Sequence, residues 1–355
     1  MTVERAYRIG VIPGDGIGPE VVREGLKVLE AVASSEGFTY ELVEYPWSCA
    51  YYLETGQLMP ESTLEEYRGL DSILFGAVGD PRVKGGLAER SIIFTLRFGL
   101  DLFVNLRPIS LLDARLCPLK NKTSKDVDLV VVRENTEDAY TAIGGHLRRG
   151  QPGEVAIAEM IFTRFGVERI VRYAFELARS RNRRKHLTLV DKSNAVPAMD
   201  IWRRVLAEVG EEYPDVTTNS IYVDAACLYL VERPEIFDVV VTSNLFGDIL
   251  TDLGAAIQGG MGAAASGNIH PGQTSMFEPI HGSAPDIAGQ DIASPVATIL
   301  ATSMMLDHLG EKSASARIDA AVREAIVSNR IATLDAKCGL STSAQGDIIV
   351  EAVKA

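Results

Sequence analysis

Short β-rich apolar runs alternate with stretches of helical periodicity along almost the whole chain. This alternation restricts the fold more than any single motif does, because strand, helix and strand in succession close most readily as a parallel crossover unit. The runs Arg8–Ile12, Ser72–Phe75, Asp128–Val132, His186–Val190, Ser220–Val223 and Asp238–Thr242 read as strands bounded by turn residues. Pro19–Val32 and Gly166–Arg179 read as helices, since their apolar residues recur at three- and four-residue intervals. An α/β fold with a largely parallel sheet is therefore predicted. In such sheets ligands lie beyond the carboxyl ends of the strands. Polar residues collect there: Asp15 after the first run, Arg133 and Glu134 after the third, Lys192 and Asn194 after the next, and Asn244 to Asp252 after the last.

Hydrophobic residues make up 46% of the 355 and charged residues 23%, a balance that sustains a large core and excludes a disordered chain. The length predicts two lobes. A formal charge of −13 argues against nucleic acid, whose phosphates need a basic footprint. No apolar run reaches the length of a bilayer span, and MTVERAYRIGVIPGDG enters a strand pattern at once without the marks of a signal peptide, so a cytoplasmic protein with no membrane partner is expected. Cys49, Cys117, Cys227 and Cys338 stand far apart with no CxxC spacing, which predicts free thiols. The turn-rich Gly144–Gly153 and the alternating Glu154–Thr163 predict a protruding arm, and an arm with an apolar face needs a partner, so a dimer is expected.

Four groups of residues carry chemistry. In Asn244-Leu-Phe-Gly-Asp-Ile-Leu-Thr-Asp252, a helix beginning near Phe246 puts Asp248 and Asp252 on one face, and Asp224, at the end of the Ser220–Val223 strand, is a third acid for the same site. Oxygen ligands alone suit Mg2+ or Mn2+ rather than zinc, although acidic residues are also favoured at a helix N-terminus without any metal. Arg97 and Arg107 in TLRFGLDLFVNLRP, with Arg133 at the end of LVVVR, offer forked guanidinium groups that suit a di- or tricarboxylate. Lys192 in VDKSN is a candidate general base, and Tyr140, just past RENTED, a candidate proton donor. Of two glycine-rich runs, Gly14-Asp-Gly-Ile-Gly18 ends as GxGxG and no acid-terminated second strand follows at the distance a Rossmann site needs. The other, His281-Gly-Ser-Ala-Pro-Asp286-Ile-Ala-Gly289, offers backbone amides to a phosphate, and Asp286 suits an adenosine ribose while repelling a 2′-phosphate, which favours NAD over NADP.

Together these stretches resemble the β-decarboxylating dehydrogenases nearly end to end: PGDGIGPE at Pro13–Glu20, NLRP at Asn105–Pro108, VVREN at Val131–Asn135, DKSN at Asp191–Asn194, TSNLFGDILTDLGAAIQGG at Thr242–Gly260 and FEPIHGSAPDIAG at Phe277–Gly289. The resemblance implies an isocitrate/isopropylmalate dehydrogenase-like two-lobed α/β fold, not a standard Rossmann domain. Residues 1–103 and 260–355 are then the large cofactor-binding lobe, and residues 104–259 the central lobe with the dimer arm (about 144–165), the metal site and the dimer interface. The active site is expected in the cleft between lobes of a homodimer with shared sites, where Lys192 and Asp224 enter the partner's site while Asp248 and Asp252 serve their own. By the same resemblance Asp224, Asp248 and Asp252 hold Mg2+ or Mn2+, Lys192 removes the hydroxyl proton, Tyr140 reprotonates the product, and Arg97, Arg107, Arg133 and Asn194 bind a diacid. Ile12, Glu278, His281, Gly282, Ser283, Ala284, Asp286 and Ser294 contact NAD.

Ile93 and Phe94 precede Arg97 where the isocitrate enzymes place a polar residue, and an apolar pair implies an alkyl substituent of the isopropylmalate kind. Phe94 departs from the usual leucine, Ala195-Val196-Pro197 from the usual Val-Leu, and Ser294 from a common asparagine. The reaction implied is NAD-dependent oxidative decarboxylation of 3-isopropylmalate. Tartrate or D-malate is the alternative, since RENTEDAYTAIGG and DKSN fit those enzymes too.

Overall fold

The computed structural model describes residues 5–87 and 89–355. The chain separates into two compact units: one takes the chain up to Leu102, Ser110–Val127 and Ala255–Ala355, the other Phe103–Ile109 and Asp128–Gly254.

In the first unit the strands lie in the order Thr39–Glu44, Ala6–Gly14, Ser72–Ala77, Ser275–Pro279 and Ala265–Ile269. The first four run parallel and the last antiparallel to its neighbour. Every residue of Ser72–Ala77 is buried, which is why it reads as a continuous apolar run and not as an alternation. Helix Val296–His308 covers Ser275–Pro279 and Ala265–Ile269, and packs in turn against Gly18–Glu36. The latter opens on Pro19 and extends past the expected Val32 until the Gly37 N–H closes it on the Ala33 carbonyl. The strands Ala265–Ile269 and Ser275–Pro279 have no periodic signature because they are polar. Their groups find partners inside the sheet: the Ser72 hydroxyl donates to the Ser275 carbonyl at 3.0 Å and the Asn268 amide to Glu278 at 2.7 Å.

The second unit orders Val104–Ser110, Asp128–Glu134, Val239–Thr242, His186–Asp191 and Thr217–Tyr222, the last four parallel. Helix Arg164–Arg181 packs on this sheet and on Asp200–Gly210. It begins two residues before the expected Gly166 because the Thr163 hydroxyl caps it, accepting the Gly166 N–H at 2.9 Å. The expected arm is a ribbon of two antiparallel strands, Gly144–Leu147 and Val155–Ala158, exposed at every residue, Leu147, Val155 and Ile157 included. One boundary needs correction. The strand expected to end at Val223 stops at Tyr222, and Val223 opens helix Val223–Glu232, so Asp224 stands in a first helical turn and not at a strand end. No turn residue separates strand from helix there, which leaves the boundary without a local signal. The four cysteines are free, and no helix among the described residues is long and apolar enough to cross a membrane.

The Gly14–Gly18 run of the first unit closes a loop. Buried Asp15 accepts the backbone N–H groups of Cys49 (2.8 Å), Ala50 (3.0 Å) and Gly79 (3.1 Å), and Ile17 donates to the Ser283 carbonyl at 2.9 Å. Gly16 has φ 61°, and a Cβ on it would stand 1.9 Å from that same carbonyl oxygen. Gly16→Ala therefore combines a left-handed alanine, costing about 1–2 kcal/mol by itself, with a backbone collision. Urea unfolding should show a loss beyond that range, and a smaller one would mean that the loop shifts aside freely.

Candidate active site

The charged residues of the second unit converge on Asp248. Its helix, Asn244–Ile257, starts two residues before the expected Phe246, and Asp248 and Asp252 lie one turn apart on it. Arg133, on strand Asp128–Glu134 and 1% exposed, donates from Nη1 to Asp248 Oδ1, and from Nε and Nη2 to Asn244 Oδ1 at 2.9 and 2.7 Å. Arg107, also buried, has Nη1 3.4 Å from Asp248 Oδ1 and 2.6 Å from the Thr251 hydroxyl. Tyr140, on the short turn Asp138–Thr141, donates its hydroxyl to Asp248 Oδ2 at 2.8 Å, with the Arg133 guanidinium 5.4 Å from its ring centre. Gly247 permits this approach, since a Cβ there would lie 2.5 Å from Arg133 Cγ. Arg107, Arg133, Tyr140, Asp248 and Asp252 thus fall together.

Burial and the neighbouring Asp248 charge push the Asp252 carboxyl above the usual carboxylate range, against the pull of Arg107 and Arg133. A dication would relieve that repulsion, and both acids present hard oxygens, so the pair fits Mg2+ or Mn2+. The third acid is not beside them: among the described residues no group of three His, Cys, Asp or Glu side chains is placed to hold a metal. Asp224 instead pairs with Lys192, whose hydrogen bond draws the Asp224 carboxyl below the usual range, and the Asp224 side chain is 68% exposed. Asn194 is exposed.

In the first unit, buried Arg97 lies on helix Thr95–Gly99 and donates to Glu278 Oε1 at 3.0 Å, so Glu278 is committed to an arginine and to Asn268. Ile93 and Phe94 end a π-helical turn over Glu89–Phe94; Ile93 packs on the hydrophobic core, and Phe94 meets Phe98 edge-on at 6.3 Å. Ile12 is fully buried in that core. On the His281–Gly289 loop the His281 Nδ1 donates to the Gly282 carbonyl at 3.0 Å, which leaves Nε2 as an acceptor. Burial lowers the pKa of this imidazole. Neither His281 Nε2 nor the buried Ser294 hydroxyl has a hydrogen-bond partner among the described residues. Such orphaned polar atoms fit a polar ligand lying over the loop. Ser283 is buried, Ala284 half-buried, and Gly282 and Asp286 exposed.

The family model described as isocitrate/isopropylmalate dehydrogenase matches residues 8–353. The chain belongs to the isocitrate/isopropylmalate dehydrogenase family. It is 53% identical to the 3-isopropylmalate dehydrogenase of Thermobifida fusca (strain YX), over 90% of this chain and 91% of that one. With the 3-isopropylmalate dehydrogenase of Nocardia farcinica (strain IFM 10152) it shares 50% identity over 98% and 100%. A solved isocitrate dehydrogenase from Methylococcus capsulatus superposes with a TM-score of 0.88 at 38% identity, covering 98% of this chain and 100% of its own.

For a member of this family, motif reading alone passes over several residues that shape the site. Asn244 holds both outer nitrogens of one side of Arg133, and Thr251 meets Arg107. Their signal was present, as polar residues within the same helix run as Asp248. Glu134 is buried beneath the Tyr140 turn, where it accepts the Thr136 N–H and hydroxyl at 2.9 and 2.7 Å and the Glu137 N–H at 2.8 Å. Desolvation outweighs these donors and pushes its carboxyl up to about 7 from an ordinary value of 4.5. Between those values the unfolded chain releases a proton that the folded protein keeps. The stabilisation from Glu134 is thus complete below the lower value and lost as pH rises through the upper. Glu134→Gln should remove this dependence, so wild type loses on the order of 3 kcal/mol relative to the variant across that window in urea unfolding; parallel pH profiles would show that Glu134 ionises normally.

Proposed function

We propose that this enzyme carries out the NAD-dependent oxidative decarboxylation of 3-isopropylmalate to 2-oxo-4-methylpentanoate, a step of leucine formation. The observation that carries this reading is the identity of about half the residues with 3-isopropylmalate dehydrogenases over nearly the whole chain. Arg107, Arg133 and Tyr140, gathered on the Asp248 carboxylate, are the machinery it calls for. Mg2+ or Mn2+, held by Asp248 and Asp252 with Asp224 of the partner subunit, supplies Lewis acidity toward the substrate hydroxyl and its neighbouring carboxylate. The loop bearing His281 and Asp286 would hold NAD, which would supply the hydride acceptor.

The chain's own residues do the rest. Arg97, Arg107 and Arg133 pair with the carboxylates and orient the one that departs as CO2. Lys192 takes the hydroxyl proton, and Tyr140 returns a proton to carbon after CO2 has left. In one chain Lys192 and Asp224 form a pair of their own, so their work belongs to the site of a second copy. Exposed Leu147, Val155 and Ile157 on the ribbon, Leu228 and Val231 on the Asp224 helix, and Ile249 on the Asp248 helix support the homodimer this requires. Ile93 and Phe94 offer no partner to a third carboxylate and favour an alkyl substituent. The aromatic ring of Phe94 also favours a second reading, D-malate or tartrate, by filling the space a branched alkyl group needs.

Turnover by purified protein with Mn2+ and NAD decides between them. The value of kcat/KM for 3-isopropylmalate should exceed those for D-malate, tartrate, isocitrate and homoisocitrate by about tenfold or more, some 1.4 kcal/mol of transition-state preference; D-malate or tartrate in first place would make the second reading correct. Asp248→Asn should abolish turnover while circular dichroism shows a folded protein, and activity retained at saturating diacid would remove Asp248 from the metal site.

A further inference from the structure

Asp138 is a buried acid to which none of these roles belongs. It is fully buried, with φ at 69°, and a non-glycine residue stays in that left-handed region only where its surroundings hold it there. Its Oδ2 accepts the backbone N–H of Leu245 at 2.9 Å, its Oδ1 that of Ala139 at 2.8 Å, and its own N–H donates to the Ile161 carbonyl at 2.9 Å. Leu245 is the second residue of the helix that carries Asp248. A second tie runs beside the first, where the Asn244 amide donates to the Glu137 carbonyl at 3.1 Å.

The Tyr140 turn is thereby fastened to the start of the Asp248 helix through both Glu137 and Asp138. Beyond Thr141 the chain passes into the ribbon, where every residue from Ala142 to Glu159 is exposed. Within one chain, then, the backbone ties between this turn and the Asp248 helix lie on the Glu137 and Asp138 side. We propose that Asp138 is a positioning residue, whose carboxylate registers the Tyr140 turn against the Asp248 helix and so fixes where the tyrosine hydroxyl stands. The consequence for catalysis rests on the proton-donor role proposed for Tyr140.

Two substitutions separate the tether from the backbone strain. Asp138→Gly keeps a left-handed backbone and removes the carboxylate, whereas Asp138→Asn keeps an acceptor in the same place. With full-length protein, NAD, Mn2+ and 3-isopropylmalate, Asp138→Gly should lower kcat by about tenfold or more with KM changed by less than about threefold, and Asp138→Asn should restore most of the loss. In a Tyr140→Phe background Asp138→Gly should add nothing further, since the hydroxyl it positions is gone. A loss that persists undiminished in that background would overturn the proposal. So would a crystal structure of Asp138→Gly in which the Tyr140 hydroxyl still reaches Asp248. If Tyr140→Phe alone turns over at full rate, the proton-donor role falls, and the crystal structure of Asp138→Gly then decides the tether by itself.

Discussion

A buried guanidinium needs a counter-charge, and in this protein the Asp248 carboxylate supplies it. Arg133 is 1% exposed and Arg107 is 5% exposed, and stripping either of water without a partner would cost several kcal/mol. Asp248 meets both, and Asn244 accepts two further bonds from Arg133. Much of the local design follows. The helix must begin at the strand end so that Asn244 and Asp248 face one arginine, and position 247 must lack a Cβ so that helix and side chain can touch. Glu134 is buried just before the turn that brings Tyr140 to the same carboxylate, and Asp138 is buried within it.

This arrangement is organised in advance for anions. Two arginines and a phenol are aimed at one carboxylate, so the direction from which negative charge is bound is settled before a ligand arrives. Asp252 carries the opposite imprint, its carboxyl raised by burial and by Asp248. On the function proposed above, a cation held by Asp248 and Asp252 would compete with the arginines for the Asp248 carboxylate, and guanidinium donors would then be open to the substrate carboxylates. Rigid parts are needed for that exchange, because donors that followed the carboxylate would gain nothing from its movement.

The share of this that could be read from residues alone divides by physical cause. Strands such as Ser72–Ala77 and Asp128–Glu134 announce themselves because burial on both faces demands continuous apolar sequence. Ala265–Ile269 and Ser275–Pro279 do not, since their buried Asn268 and Glu278 are satisfied by each other across the two strands and by Arg97 on a separate helix. The site divides in the same way. Asp248 and Asp252 share a helix and four-residue spacing predicts their proximity, whereas Arg107 and Arg133 reach them only through strand order. Asp224 shows the limit: its helix and its pairing with Lys192 depend on a strand boundary without any local mark. The glycine run Gly14–Gly18 was legible as a tight loop, but its use, to let the chain close on the Ser283 carbonyl, was not.

The segment before Arg97 shows why side-chain direction is harder to read than side-chain type. An ordinary α-helical turn over Glu89–Phe94 would set successive residues about 100° apart, but the turn here is π-helical, and the wider spiral alters which residue faces the core. Ile93 packs inward, and Phe94 meets Phe98 edge-on. The two apolar residues are therefore not equivalent. Ile93 contributes to the stability of the first unit, while Phe94 meets Phe98 edge-on and carries a stiff ring with two rotatable bonds. On the function proposed above, such a ring would exclude charge through its lack of polar atoms and set size through its orientation.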